Sequence, residues 1–534
     1  MPTKTPNKLI EARDDRMPAG IPYIISNEFA ERFCFYGVNS ILTIFLVQFL
    51  HFTDAKGAAW QSLFKSGAYF FPMVGAIVAD VFWGKFKTIM VFSTVYCAGC
   101  VSLALFSDTP TAIGLGLFLV AFGTGGIKPC VSTNVGDQFT SKNQHLIERA
   151  FSWFYMAINW GSSISIWFCP VLLSSPNYGP RWAFGMPAAM MFVATLMFWL
   201  GRKKFVTVPP AGKAWFKDVF SAEGGKLVLN LIVIYFFVAC FWMLWDQSNG
   251  NTWTLQAQSS LMDKNVSFLG FNFTVLPAQI QVVNGLFILA LIPVFTYVIY
   301  PFCSRFFEVT PLRRIGAGLF TVAASFLIVA WVEQQIQSGH TVSVWWQILA
   351  YVVLTASEIL VSITALEFSY KQAPLRMKSF IMALFLLSIS LGNFMIAGVN
   401  AWMVKPLHAS AIEVGEQTWV TVTEAKEFVT GQKIDLTGDN GIEVVGGAKP
   451  EPLQGTFLVA EIDAAQSRVR LMDVVERAPL KTQGVYAGAG EVATYRLVGP
   501  NYFYFFIVVM ALMGVIFIFV ASRYKEQTHV RVDA

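Results

Sequence analysis

Apolar runs long enough to cross a bilayer recur along this chain, near Ile21–Leu50, Ala58–Trp83, Thr88–Phe106, Ala112–Val135, Phe151–Leu173, Trp182–Gly201, Leu227–Trp245, Leu276–Tyr300, Ile315–Val332, Val344–Tyr370, Phe380–Met403 and Tyr502–Ala521. Each is read as a membrane-spanning helix, because about 20 apolar residues at helical rise match the hydrocarbon thickness. Composition agrees: 55% of the 534 residues are hydrophobic and 13% are charged, about half the charged share of a soluble domain. The expected class is an all-α integral membrane protein of twelve transmembrane helices in two six-helix halves.

Alternate loops differ in charge. One set carries Lys85, Lys87, Lys142, Arg149, Arg202, Lys203, Lys204, Lys213, Lys217, Arg305, Arg313, Arg314, Lys371, Arg376, Lys378, Arg523 and Lys525, whereas the short loops opposite hold little beyond Lys56, Arg181 and Lys264. Positive charge collects on the cytoplasmic side. Both termini are therefore expected in the cytoplasm of a multi-pass protein of the cell inner (plasma) membrane. The polar stretch Met1–Met17 lacks the short apolar core and cleavage site of a signal peptide, so none is expected. Between spans six and seven, Pro209–Lys226 has room for a short amphipathic helix around Trp215, Phe216, Val219 and Phe220 that links the halves. The seven cysteines lie mostly in apolar runs without metal-ligand spacing and are given packing roles. Nothing in the charge pattern indicates nucleic-acid binding.

Charge inside a span is the exception that needs a purpose, because each such residue costs ~3 kcal/mol even on a lenient insertion scale. Span one holds Asn27-Glu28-Phe29-Ala30-Glu31-Arg32-Phe33, whose helical spacing puts Glu28, Glu31 and Arg32 on one face. Two proton acceptors and a fixed cation facing one cavity suit transport. After span two, Gly75-Ala76-Ile77-Val78-Ala79-Asp80-Val81-Phe82-Trp83-Gly84-Lys85 resembles the signature loop of the major facilitator superfamily. Asp80 is expected to brace a helix end or a cytoplasmic base, a gating role away from substrate. Span four reads Gly123-Thr124-Gly125-Gly126-Ile127-Lys128-Pro129, with Gly136-Asp137-Gln138-Phe139 following. Its glycines allow close helix approach, and Lys128 lies too deep to snorkel back to the cytoplasmic end.

Together with Phe154-Tyr155-Met156-Ala157-Ile158-Asn159-Trp160-Gly161-Ser162 of span five and Leu366-Glu367-Phe368-Ser369-Tyr370-Lys371-Gln372-Ala373-Pro374 of span ten, these motifs resemble the proton-dependent oligopeptide transporter family. The resemblance implies the major facilitator fold, and it implies roles. Glu28, Glu31, Asp246 and Glu358 would couple protons. Arg32 and Lys128 would receive the peptide carboxylate, and Glu358 would meet its amino terminus and pair with Lys128 when the site is empty. Tyr36, Tyr69, Asn159 and Asn284 would hold the peptide backbone, with Phe385 and Ser388 completing the binding set. A zwitterionic di- or tripeptide needs a cationic and an anionic pole on opposite halves, and protonating a glutamate frees its basic partner.

Departures from the pattern are informative. Phe35 replaces the first of two paired tyrosines, Ser62 stands where mammalian members carry a histidine, Asn39 and Asn230 replace arginines, and Phe385 replaces a tryptophan. Asp246 is thereby left without its expected partners. Lys65, one turn from Ser62, either pairs with Asp246 as a substitute gate or snorkels to the nearby outer interface.

From Lys405 to about Gly499 the chain is polar and Gly-rich, with alternating runs at Trp419–Val422, Gly455–Val459 and Ser467–Met472 that read as short strands. This small β-rich extracytoplasmic insert between helices 11 and 12 contains no cysteine and must rest on a small core; a passive appendage is favoured over a binding module. The expected organisation is an N-terminal bundle over 18–205, a linker over 206–226, helices 7–11 over 227–404, the periplasmic insert over 405–499 and helix 12 over 500–522.

The expected function is proton-coupled import of di- and tripeptides by alternating access, with protons, peptides and membrane lipids as partners, a functional monomer, and no cofactor or metal. Proton-linked transport of nitrate or another small anion and a non-transporting peptide receptor are the alternatives. No nucleophile–base pair or metal cluster argues for an enzyme.

Overall fold

The computed structural model describes residues 15–524 apart from 141, 211, 213–221, 269, 373–377, 423–424, 439–440, 446–449 and 489–490. The amphipathic linker helix expected around Trp215–Phe220 lies outside the described residues.

Among the described residues, twelve helical segments are long and apolar enough to span a membrane. Their main α-helical parts are α1 (Ile21–Gln48), α2 (Asp54–Ile77), α3 (Lys85–Leu105), α4 (Pro110–Asp137), α5 (Ile147–Ser174), α6 (Gly179–Leu200), α7 (Ala222–Trp245), α8 (Val282–Val294, within the span Pro277–Cys303), α9 (Pro311–Gln337), α10 (Trp345–Glu358, within the span Trp345–Ser369), α11 (Lys378–Met403) and α12 (Asn501–Arg523). Local chemistry sets several starts. Thr53, Thr109 and Thr310 cap α2, α4 and α9, each hydroxyl accepting from the backbone N–H three residues on, and proline follows directly at Pro110 and Pro311. One turn of π-helix extends α2 over Val78–Trp83, α8 over Phe295–Ile299 and α10 over Ile359–Ile363. Span seven is longer than its apolar run, because after Trp245 the chain makes a tight turn over Asp246–Ser248 and a short helix at Thr252–Gln258. A hairpin of Asn265–Phe268 with Phe271–Thr274, unforeseen from the sequence, follows it.

The helices pack as two groups of six. In the first, α1 lies against α5 and α6, α3 against α4 and α6, and α2 against α4; in the second, α9 lies against α10 and α12, α7 against α11, and α8 against α10. Each group has its own buried apolar core. The glycines of α4 permit its close fit. A Cβ at Gly125 would stand 2.6 Å from the Cβ of Phe71, and one at Gly123 would overlap Tyr96. Between the groups, α2 runs along α11.

Among the described residues the insert forms ten strands: β1 (Val404–Leu407), β2 (Ala409–Glu413), β3 (Trp419–Val422), β4 (Lys433–Thr437), β5 (Ile442–Val445), β6 (Glu451–Pro452), β7 (Gly455–Asp463), β8 (Arg468–Asp473), β9 (Lys481–Gly484) and β10 (Glu491–Tyr495). Seven make an antiparallel sheet in the order β1-β10-β4-β7-β8-β3-β2, and β6-β5-β9 make a smaller one. Val420, Ile434, Leu436, Phe457, Val459, Val469, Leu471 and Val492 fill the core on one face. The other face is covered as well. In β4 and β7 the alternate residues Asp435, Thr456 and Leu458 are also buried, so Gly455–Val459 is buried at every position. A strand buried on both faces packs against a second body, here the helix ends beside α2.

Candidate functional site

Glu28 and Arg32 are one helical turn apart on α1, and the Arg32 Nε donates to Glu28 Oε1 at 2.6 Å and lies 3.4 Å from Glu31 Oε2. Both carboxylates are almost fully buried, with side chains 1% and 0% exposed. Two acids thus share one guanidinium, an arrangement whose charge balance changes when either acid gains a proton.

Lys128 of α4 sits beside this cluster but does not bond to it. Its ammonium lies 3.6 Å from the ring centre of Phe35 and 4.0 Å from that of Tyr69, a cation–π seat. Its Nζ is buried without a hydrogen-bond partner among the described residues. The expected Lys128–Glu358 pair is therefore absent from this conformer. Aromatic faces hold the lysine on one half, and neutral donors hold the glutamate on the other: Glu358 Oε2 accepts from Trp245 Nε1 at 3.1 Å and from Asn284 Nδ2 at 2.9 Å. The Phe35 replacement removes a hydroxyl yet keeps the ring that faces the cation.

Glu358 ends α10 at its π turn and lines a cavity of 190 Å³ between the halves, with Tyr36, Tyr155, Asn159, Trp245, Asn284 and Tyr351. Four expected site residues, Tyr36, Asn159, Asn284 and Glu358, thus meet around one space. The amide of Asn284 also donates to Thr355 Oγ1 at 3.0 Å, so it orients Glu358, and that of Asn159 donates to Tyr155 O at 2.8 Å. Arg32, Tyr69, Lys128, Phe385 and Ser388 are not in that cavity's wall. Phe385 is buried edge-on to Tyr235, and the Ser388 hydroxyl donates to Phe385 O at 2.6 Å within α11.

The halves are stitched together at the end that carries the insert. Lys65 Nζ and Asp246 Oδ1 are 2.5 Å apart, with side chains 1% and 3% exposed; of the two readings of Lys65, the structure contains the pair. Asn393 Nδ2 donates to Asp246 Oδ2 at 2.6 Å. Around them, Asn39 and Gln61 donate to Asn249, Thr43 donates to Gly250 O, and Asn251 donates to Gln61 and Ser62. Asn39 and Ser62 therefore stay in the interhelical contact as neutral partners. At the opposite end Asp80 is half-buried in its π turn, while Lys85 bonds Asp137 Oδ2 at 2.5 Å, tying the start of α3 to the end of α4.

Sequence reasoning gives Asp137 and Trp245 no role beyond the motifs that contain them, and misses Asn249, Asn251 and Asn393. Asp137 stood in the Gly-Asp-Gln-Phe motif and the polar run Asp246–Asn251 stood at the end of an apolar helix, which was the available signal; Asn393 in the middle of α11 gave none.

A family model described as the POT family matches residues 86–222 and 221–420. The chain is 35% identical over 366 residues to peptide transporter family 1 of Drosophila melanogaster, covering 60% of this chain and 48% of that protein. It is 34% identical over 367 residues to solute carrier family 15 member 2 of Homo sapiens, covering 60% of this chain and 49% of the relative. The chain thus spans about half the length of the curated relatives it matches. Among solved structures, the POT family transporter PepTSo is 34% identical with a TM-score of 0.66 over 72% of this chain and 90% of its own. An auto inhibited POT family peptide transporter is 27% identical with a TM-score of 0.71 over 97% of this chain and 99% of its own.

Proposed function

The chain belongs to the POT family, and from that premise we propose that it is a proton-coupled symporter that imports di- and tripeptides by alternating access. It works as a monomer among the lipids of the plasma membrane, with both termini cytoplasmic and the insert outside. The observation that carries this reading is the division of charge between the halves: Glu28, Glu31, Arg32 and Lys128 lie on the first, and Glu358 faces the shared cavity from the second. A peptide with free ends carries both charges and can bridge such poles. A small anion such as nitrate has no use for Glu358.

Coupling follows from competition among these groups. A proton on Glu28 or Glu31 loosens its hold on Arg32, which then meets the peptide carboxylate; Glu358 meets the amino terminus. Asp246, paired with Lys65 at the insert end, links protonation to separation of the halves there, and Asp80 contributes to the gate at the other end. Binding both ends of the peptide draws the halves together around it, and release of peptide and proton to the cytoplasm resets the cycle. The test is competition by end-blocked peptides. Dialanine should displace labelled dialanine well, while N-acetyl-dialanine and dialanine amide should compete at least tenfold more weakly, the scale expected when a buried charge loses its partner. Glu358→Gln should narrow the difference for the acetylated peptide alone. Equal competition by free and blocked peptides would refute the two-pole site.

A further inference from the structure

The insert is mounted on one half and reaches the other. Its chain leaves α11 and returns into α12, both in the second half. Its secondary attachments are to that half as well: Arg477 donates to Ile336 O at the end of α9, Ser260 N donates to Val475 O at 2.8 Å, and Arg496 Nε donates to Trp402 O at 3.1 Å. The insert's pairs Arg468–Glu413 and Lys481–Glu416 stay within it.

Lys433 does otherwise. Its Nζ reaches Asp54 Oδ2 at 2.6 Å, and Asp54 is the first residue of α2, in the first half. The backbone N–H of the same residue donates to Thr456 Oγ1 at 2.8 Å. Thr456 in turn donates to Asp435 Oδ1 at 2.7 Å, which also accepts from Tyr495 OH at 2.8 Å. Thr456 and Asp435 are direct cross-strand partners, so β4, β7 and β10 present one polar row to the start of α2. Asp54, Thr456, Asp435 and Tyr495 are all buried. The grip is therefore a built contact, with an ion pair and a hydrogen-bonded N-terminus on the same residue.

We propose that the insert is a latch of the transport cycle: rooted in the second half, it holds Asp54 of the first and keeps the insert end closed until that grip is released. The proposal rests on the alternating-access reading, because rocking apart at this end must carry Lys433 and Thr456 away from Asp54. It gives a task to a segment that sequence alone favours as a passive appendage.

Distances between spin labels carried on non-natural amino acids at Asp108 and His340 report that end. These are exposed positions in the α3–α4 and α9–α10 connections, one on each half and neither in the insert. In lipid nanodiscs the full chain should show a short and a long distance whose proportions respond to acid pH and dialanine. Lys433→Met should raise the long-to-short ratio about fivefold, the scale of one part-exposed ion pair, and Thr456→Val should move it the same way. Arg468→Gln, inside the insert, should leave it unchanged. If the wild type interconverts but neither Lys433→Met nor Thr456→Val shifts the ratio, the latch is refuted and the transport reading stands. If the folded wild type holds one distance under every condition, both fall.

Discussion

Removing one partner of the Lys65–Asp246 pair should unbalance the two end states of the protein. The side chains are 1% and 3% exposed and 2.5 Å apart, so Lys65→Met leaves a carboxylate buried with Asn393 as its donor. Breaking a pair of this kind costs ~3–5 kcal/mol, and the retained amide places the expected cost near ~3 kcal/mol. The cost falls on the conformer closed at the insert end, since opening hydrates Asp246. A shift of that size is on the order of 100-fold in the ratio of the two conformers. Peptide exchange between proteoliposome compartments needs both conformers, so Lys65→Met and Asp246→Asn should each lower the exchange rate by about tenfold or more. The double variant, with no charge left to strand, should recover much of the loss, giving a coupling energy of at least ~1 kcal/mol in the cycle. Single variants that each keep more than half the wild-type exchange rate, or a double variant that merely multiplies the two losses, would refute the argument.

Glu28→Gln and Glu31→Gln should impair proton-driven accumulation more than proton-independent exchange, whereas Arg32→Ala should weaken both; a Glu28→Gln protein that still concentrates peptide at wild-type rates removes that residue from coupling. Gly75→Ala should destabilise the first half by ~1–3 kcal/mol, because the new Cβ would overlap the Gly125 carbonyl where α2 meets α4. An unchanged thermal midpoint would contradict that packing. In the insert, burial pushes the Asp435 carboxyl up to about 7 from an ordinary 3.8, with the Thr456 and Tyr495 hydroxyls pulling it down, the Asp54 charge raising it and Lys433 lowering it. Between those values the folded insert holds a proton that the unfolded chain does not, so its stability falls as pH rises from about 4 to 7, by a few kcal/mol at most. Hydrogen exchange in β4 and β7, corrected for intrinsic rates, should be less protected at pH 7.5 than at pH 5.5, and Asp435→Asn should flatten the difference. Equal protection at both pH values in the unmodified chain would contradict the assignment.

The spans were legible because an apolar run of bilayer length admits few structures, and the charges within them stood out against that background. Glu28, Arg32 and Lys128 needed no structure to be noticed. What Lys128 touches was not legible: its seat over Phe35 and Tyr69 depends on three helices converging, and the expected bond to Glu358 gave way to it. Lys65 and Asp246 are 181 positions apart, and their pairing was one of two readings until the register of α2 against the end of α7 was fixed. The insert was read for its strands but not for its second face. Alternation in Trp419–Val422 showed a core side, whereas the buried polar row of Asp435, Thr456 and Tyr495 has meaning only once Asp54 is seen beneath it.

The central claim is that a proton gradient drives free-ended small peptides through the cavity under Glu358. Purified protein in liposomes, given an inward proton gradient and labelled dialanine, should accumulate the peptide above equilibrium, lose that accumulation when a protonophore collapses the gradient, and keep exchange. Folded, inserted protein that takes up no peptide, or that accumulates it equally with the gradient collapsed, would contradict the account.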